Sequence, residues 1–479
     1  MRLSGVVMVA VRAIILAAGQ GKRMKSAKPK VLHEVLGMPI LSRVVRQCQA
    51  LAPEKLHVVV GHQAELVRDF VEKTFEDGSC LTHLQEPQLG TGHAVMQVAP
   101  ALEGFHGYVI VTVGDAPVIQ SATLKHLLLS HEQSGAAVTA LTAIVEDPKN
   151  YGRIVRDEAG KVRAVVEDKD ASPAEKAICE VNTGIYCLSW PAVKDGLQSL
   201  TCENKQKEYY LTDLVGWAYK SGAGAAAVAL SDWREMAGIN SRLELSEAAR
   251  HLRDITVSRL ALESGVTIVD PLSTWICPEV KIGQETTIMP GCILTGDIEI
   301  GADCLIGPYT VMKGRVRVGA GASVVNSYVN DSVIGDRARV GPFAHLREGN
   351  AVGSASKVGN FVELKKATLG DHTNVGHLSY IGDASLGSNV NIGAGTITAN
   401  YDHVTKRKDR TIVGDGASTG SNSVLVAPVE LCAEAVVGAG TVVTKDVPSG
   451  ALAVGRARQE IIEGWAKRRK ERMTVAPKA

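Results

Sequence analysis

The chain has 479 residues, too many for one ordinary core, so two or three domains are expected. A net charge of +1, with acids and bases interspersed, leaves no electrostatic footprint for nucleic acid or a membrane surface. The nine cysteines show no C-x-x-C and no regular spacing, which argues against a disulfide framework or a zinc site and for reduced thiols in the cytoplasm.

The opening MRLSGVVMVAVRA loosely imitates a secretory leader, but its apolar residues run straight into Ile14-Ile15-Leu16, where a strand is expected. No run approaches the length needed to span a bilayer. Strands are predicted over 13–16, 56–60, 108–113, 136–143 and 184–188, with amphipathic segments over 40–50 and 64–74 between them. Strands separated by helix-length connections imply a mostly parallel, Rossmann-like α/β sheet. A single connecting helix is expected over 241–264, with Ser241 and Glu244 as a capping box and Gly265 as its stop. The expected division is therefore a first domain over 1–240, a linker helix over 241–265 and a second domain over 266–479.

Beyond residue 265 the pattern changes. Aromatics are only 4% of the chain, and the 48 glycines concentrate here. Aliphatic residues recur every six positions: Ile276, Ile282, Ile288, Leu294, Ile300, Ile306, Met312, Val318, Val324, then Val340, Leu346, Val352, Val358 and Leu364. The register continues through Val375, Ile381 and Ile392 to Leu425, Leu431, Val437 and Val443. A period of six fits neither a helix nor an ordinary strand, but it fits a coil of three short strands with one aliphatic side chain per side pointing inward. The stretch 399–412 lacks the spacing and reads as a loop thrown out of the coil. This run resembles the left-handed parallel β-helix acyltransferases, a resemblance that implies the handedness and a homotrimer with active sites between neighbouring prisms.

In the first half, Leu16-Ala17-Ala18-Gly19-Gln20-Gly21-Lys22-Arg23-Met24 follows a strand and precedes Lys28-Pro29-Lys30. Small residues there let backbone N–H groups approach phosphate oxygens, and Arg23 and Lys30 supply cations for a triphosphate and its leaving pyrophosphate. The string is neither a P-loop nor a dinucleotide fingerprint. Gly114-Asp115 closes a strand, where a carboxylate suits a phosphate-bound Mg²⁺. In the second half, polar residues interrupt the solenoid at Arg347, Lys365, His377, Tyr380, Asn391, Asn400 and Tyr401. Arg347 and Lys365, three hexapeptides apart, would offer two cations to a sugar phosphate. His377 is the candidate general base for freeing an attacking amine.

The glycine-rich string is similar to that of the sugar-1-phosphate nucleotidyltransferases. The resemblance implies that Gln85, Gly90 and Thr91 in Gln85-Glu86-Pro87-Gln88-Leu89-Gly90-Thr91 read the uracil edge. It further implies that Asn240 joins Asp115 as a metal pair, and that Gly152, Glu167 and Asn182 bind the sugar, with 208–213 holding its loop. Gly341-Pro342-Phe343, the run 359–366 and the run 391–402 extend the resemblance over roughly 12–465, to the bacterial bifunctional N-acetylglucosamine-1-phosphate uridyltransferase/glucosamine-1-phosphate acetyltransferases. That family implies acetyl-CoA held by Ala394, Asn400, Tyr401, Ser421, Ala439 and Arg456, partly from adjacent subunits, and sugar contacts from Tyr380 and Asn391. It also implies UTP as cosubstrate and a product used in peptidoglycan and lipopolysaccharide synthesis. The chain departs from it at Val113, Glu348, Ser418-Thr419, Gly455 and the charged stretch 406–410. An alternative is a nucleotidyltransferase whose β-helix only regulates or oligomerises; it would not need the His377–Tyr380–Asn391 set. A non-catalytic regulatory subunit, in turn, would not need the intact 19–30 loop with Asp115 and Asn240.

Overall fold

Seven strands form the central sheet of the first half, in the spatial order Ala225–Ala229, Val138–Ile144, Glu180–Trp190, Gly107–Val113, Val11–Leu16, Lys55–Val60 and Cys80–Leu84. All run parallel except Glu180–Trp190, which is antiparallel to both its neighbours. The hairpin Arg153–Arg156/Val162–Val166 joins through the pairing of Val181 with Arg153. The computed structural model describes residues 9–475, so most of the leader-like opening lies outside the described residues. Each predicted strand and helix of this half is present, and Ala64–Thr74 matches its predicted bounds.

Aliphatic side chains cover both faces of the sheet. Ile14, Val59, Val109, Val111 and Leu188 pack toward one side, and Ile15, Val58, Val60, Ile110 and Cys187 toward the other, as the two-residue strand period demands. Loops at the carboxyl ends of Val11–Leu16 and Gly107–Val113 meet where Gly114 N–H donates to Leu16 C=O at 2.8 Å. That edge is the usual ligand crevice of an α/β sheet.

A helix follows over Arg242–Glu263. Ser241 Oγ accepts from Glu244 N–H at 3.2 Å, half of the expected capping box, but the Glu244 carboxylate accepts from the Asn240 N–H, at 2.5 Å. The helix ends as expected: Gly265 takes φ +65° and Val266 N–H reaches back to Leu260 C=O. The boundary between the two compact units, Met1–Ile255 and Thr256–Ala479, falls within this helix. Ala248 and Leu252 pack in the first unit against Met24, Val35, Ile40, Val118 and Ile239.

The second unit is a three-faced parallel β-helix. Ile288 pairs with Ile306 and Leu294 with Met312, 18 positions or three hexapeptides apart. Every aliphatic residue in the predicted period is buried. Some coils are shortened to 17 positions, as between Val358 and Val375. One is lengthened to 27, between Ile392 and Thr419, and it throws out the loop that separates Ile397–Ala399 from Thr411–Val413. Tight corners are taken by residues with positive φ, among them Tyr309, Phe343, Phe361 and Leu378.

Candidate active sites

In the first unit, a cleft of about 480 Å³ is lined by Leu16, Ala17, Ala18, Gly19, Lys30, Gln85, Gly90, Thr91 and Asp115. The first-strand loop, the 85–91 loop and the Gly107–Val113 strand end therefore meet at one opening, as their motifs predict. Arg23 sits in the short turn Lys22–Met24, exposed and outside this lining. Lys30 is central: its Nζ donates to the Asp115 carboxylate and, at 3.1 Å, to Asn240 Oδ1. Asn240 is held by its backbone bond to Glu244, and Gly238 lies close enough that a Cβ there would approach Asp115 Oδ1 to 3.4 Å.

On the base side, buried Gln85 donates from Nε2 to Gly90 C=O at 2.9 Å, and that nitrogen lies 3.3 Å from His93 Nδ1. Gly90 is at φ +106° with Tyr209 C=O 2.7 Å from where a Cβ would stand, so no larger residue fits. Thr91 Oγ1 accepts from Leu211 N–H at 3.1 Å and so ties the loop to the 208–212 segment. That segment leads from the cleft, which Glu208 lines, to a second polar group. There Thr212 Oγ1 donates to Glu167 Oε1 at 3.2 Å, and a Cβ on Gly152 would lie 3.5 Å from Glu167 Oε2 and 3.6 Å from Asn182 Cβ. Gly152, Glu167 and Asn182 are thus brought together. Burial pushes the Glu167 carboxyl up. Burial also raises the Tyr151 hydroxyl, helped by the nearby Glu244 and Asp115 carboxylates. Gln88 and Glu208 belong to the cleft although sequence reasoning gave Gln88 no role.

In the second unit, register organises the polar residues into columns. Asn360 and His377 are Cα partners, and two positions beyond the ladder Val375–Ile392–Thr419–Val437 stand His377, Ala394, Ser421 and Ala439. Arg456 Nη1 donates to Ala439 C=O at 2.9 Å, extending this corner. His377 is exposed, and its Nδ1 lies 2.5 Å from Asn360 Oδ1. An amide oxygen only accepts, so in the neutral ring this bond places the proton on Nδ1 and leaves Nε2 as the acceptor. Asn360 was missed in the sequence because the coil from Val358 to Val375 has 17 positions, which takes its match with His377 out of the six-residue count.

Arg347 and Lys365 follow the paired Leu346 and Leu364, so they stack one coil apart. Tyr380 lies on the same face, paired with Glu363, and its ring covers Gly382, the coil successor of Lys365. At a strand rise of about 3.3 Å per residue, the Asn360–His377 corner and Lys365 are separated by about 15 Å across that face. Asn391 pairs with Asn374, at the opposite end of its strand from the His377 column. Asn400 is buried at the next corner, where Nδ2 donates to Asp383 Oδ2 at 2.5 Å, and exposed Tyr401 follows it into the loop. Within one chain, then, the predicted coenzyme residues occupy two different corners.

Comparison with known proteins places both units in known families. The MobA-like NTP transferase domain matches residues 13–174, the bacterial transferase hexapeptide (six repeats) matches 279–314, and the hexapeptide repeat of succinyl-transferase matches 410–445. A bifunctional protein GlmU from Pelobacter propionicus is 45% identical over 96% of this chain and 99% of its own length. Those of Heliobacterium modesticaldum and Fervidobacterium nodosum are each 47% identical, over 95% and 97% of this chain and 98% and 99% of their own. With relatives this similar along nearly their whole length, the chain belongs to the bifunctional GlmU family, its first unit a nucleotidyltransferase and its second a hexapeptide-repeat acetyltransferase.

Proposed function

We propose that the chain makes UDP-N-acetylglucosamine in two steps, with domains over 1–240 and 266–479 joined by the helix over 241–265. The second domain acetylates glucosamine 1-phosphate with acetyl-CoA. Arg347 and Lys365 hold the phosphate, Tyr380 and Asn391 contact the sugar, and bare Nε2 of His377 takes the amine proton as nitrogen attacks the thioester carbonyl and the coenzyme thiolate departs. Ala394, Asn400, Tyr401, Ser421, Ala439 and Arg456 hold the coenzyme. In the first domain, a phosphate oxygen of N-acetylglucosamine 1-phosphate attacks the α-phosphorus of UTP and pyrophosphate leaves. Leu16 to Gly19, Gly114, Arg23 and Lys30 cradle the phosphates, Gln85, Gly90 and Thr91 read uracil, and Gly152, Glu167 and Asn182 hold the sugar.

The oxygen donors of Asp115 and Asn240 fit Mg²⁺, since both already converge on one cation, Lys30 Nζ. Bound there, Mg²⁺ would neutralise phosphate charge. A homotrimer is the proposed assembly. Exposed Phe343, Phe361 and Leu378 form an apolar column at the corner that carries His377, and Phe343 stacks on Phe361 at 5.4 Å; exposed Tyr309 stands two coils before Phe343, beyond Asn326. A column of this kind calls for a partner, and a second copy would bring its own phosphate-binding face to the His377 corner. Nine free thiols support a cytoplasmic setting, and among the described residues no helix is long and apolar enough to cross a membrane.

The observation that carries the two-step reading is the presence of both sets on one chain: Lys30 bridging Asp115 and Asn240, and His377 oriented by Asn360. The test is incubation with glucosamine 1-phosphate, acetyl-CoA, UTP and Mg²⁺, with products resolved by mass and the preparation sized by light scattering. UDP-N-acetylglucosamine and pyrophosphate from a particle of about three chain masses are expected. A product lacking the acetyl group, or a fully acetylating monomer, would contradict the reading.

A further inference from the structure

Glu348 stands directly beside the two cations assigned to the sugar phosphate. It lies in the bend that Gly349 closes at φ +77°, and its C=O accepts from Lys366 N–H at 3.1 Å, which fixes the bend over the Lys365–Lys366 step. From there the carboxylate faces both cations, with Oε1 3.7 Å from Lys365 Nζ and Oε2 3.9 Å from Arg347 Nε. A second carboxylate, Glu363, accepts directly from Arg347 Nη1 at 3.1 Å. Two cations thus meet two carboxylates, and the formal charge of the cluster is zero where a phosphate dianion is to bind.

The two carboxylates differ in kind. Glu363 makes a hydrogen bond to one partner and fixes the guanidinium. Glu348 makes looser ion pairs to both partners from a side chain 43% exposed, beside a Lys365 only 16% exposed. Loose, solvent-reached pairs are weak and exchangeable. A bond to its own backbone N–H, with Lys365 and Arg347 beside it, holds the Glu348 carboxyl below the usual range, so it is ionised at neutral pH.

We propose that Glu348 is an internal counter-ion of the acetyltransferase site, neutralising Lys365 and Arg347 until the substrate's phosphate displaces it. The proposal rests on the reading of those two cations as the phosphate site. Its consequence is selectivity: a doubly charged phosphate outcompetes one tethered carboxylate for two cations, whereas a neutral amino sugar brings nothing to displace it. Glu348 acts through the cations and touches no reacting atom, so it sets KM and leaves kcat alone.

Glu348→Gln keeps the shape and removes the charge. Its KM for glucosamine 1-phosphate should fall about three- to tenfold, the scale of one or two exposed ion pairs. The kcat and the KM for acetyl-CoA should stay within about twofold, and the gain in KM should shrink as salt rises. Lys365→Met, run alongside, should raise the same KM. If Lys365→Met leaves KM unchanged, the phosphate reading itself fails. If Lys365→Met raises it while Glu348→Gln leaves it unchanged or higher, the counter-ion role alone is overturned. Uridylyl transfer from N-acetylglucosamine 1-phosphate, unchanged in both variants, reports that the chain is intact.

Discussion

The two units build their polar sites by opposite means. In the first, Lys30, Asp115 and Asn240 converge from positions 85 and 210 residues apart, delivered by separate loops at one edge of a sheet. In the second, Asn360, His377, Ala394, Ser421 and Ala439 stack at one corner because successive coils repeat it. A repeat makes neighbours of residues one period apart, so a single residue's environment follows from the coil before and after it. A wound sheet makes neighbours only through the whole topology. The interiors differ as well. The first unit buries His57 and His131, whereas the buried polar side chains described in the second are threonine, serine and asparagine.

That difference in interior predicts different responses to acid. Burial pushes His57 and His131 down to about 4 each. A depressed histidine contributes stability that is present above its unfolded value, about 6.5, and lost as pH falls through the folded value, about 3 kcal/mol for a shift of this size. On acidification from 7 toward 4, hydrogen exchange corrected for its intrinsic pH dependence should show Lys55–Val60 and Ser121–Ser134 losing protection before the coils around Leu346 and Leu364. Simultaneous loss, or earlier loss in the β-helix, would erase the contrast.

A smaller effect sharpens the claim that coil neighbours act together. Asn360→Ala removes the bond that sets the His377 tautomer and should cost about tenfold in acetyl-transfer kcat, on the scale of one hydrogen bond to a functional group. Uridylyl transfer should stay unchanged. An acetyl-transfer kcat within about twofold of the parent would mean that Asn360 only packs beside the ring.

The β-helix was the more legible half. Every residue of its aliphatic period is interior because each coil repeats one demand, a single inward side chain per face, although interior Val329, Ile334, Leu369, Leu386 and Val413 fall outside the count where coils change length. What escaped was detail set by coil length: with 17 rather than 18 positions between Val358 and Val375, Asn360 falls beside His377, a match that the six-residue count does not mark. The spacing also did not reveal that His377 and Lys365 lie at opposite edges of one face. In the first unit, long apolar strands were legible, but Cys80–Leu84 and Ala225–Ala229 were not, being short edge strands of mixed or small residues. The reversed direction of Glu180–Trp190 has no local signature either. Motifs located the cleft, yet the bridging position of Lys30 between Asp115 and Asn240, and the diversion of Glu244 to the Asn240 N–H, depend on tertiary contacts that no window of sequence contains.

The central claim is that one chain carries two chemically independent sites, and paired substitutions in the full-length protein test it most directly. Rates of both reactions are measured on the same preparations of His377→Ala and Asp115→Ala, supplying N-acetylglucosamine 1-phosphate for the second step. His377→Ala should lose acetyl transfer by about 10²–10⁴-fold and keep uridylyl transfer. Asp115→Ala should show the reverse, abolishing uridylyl transfer and accumulating N-acetylglucosamine 1-phosphate when given glucosamine 1-phosphate and acetyl-CoA. If His377→Ala acetylates within a few-fold of the parent, or either substitution in a folded chain removes both activities, the account is wrong.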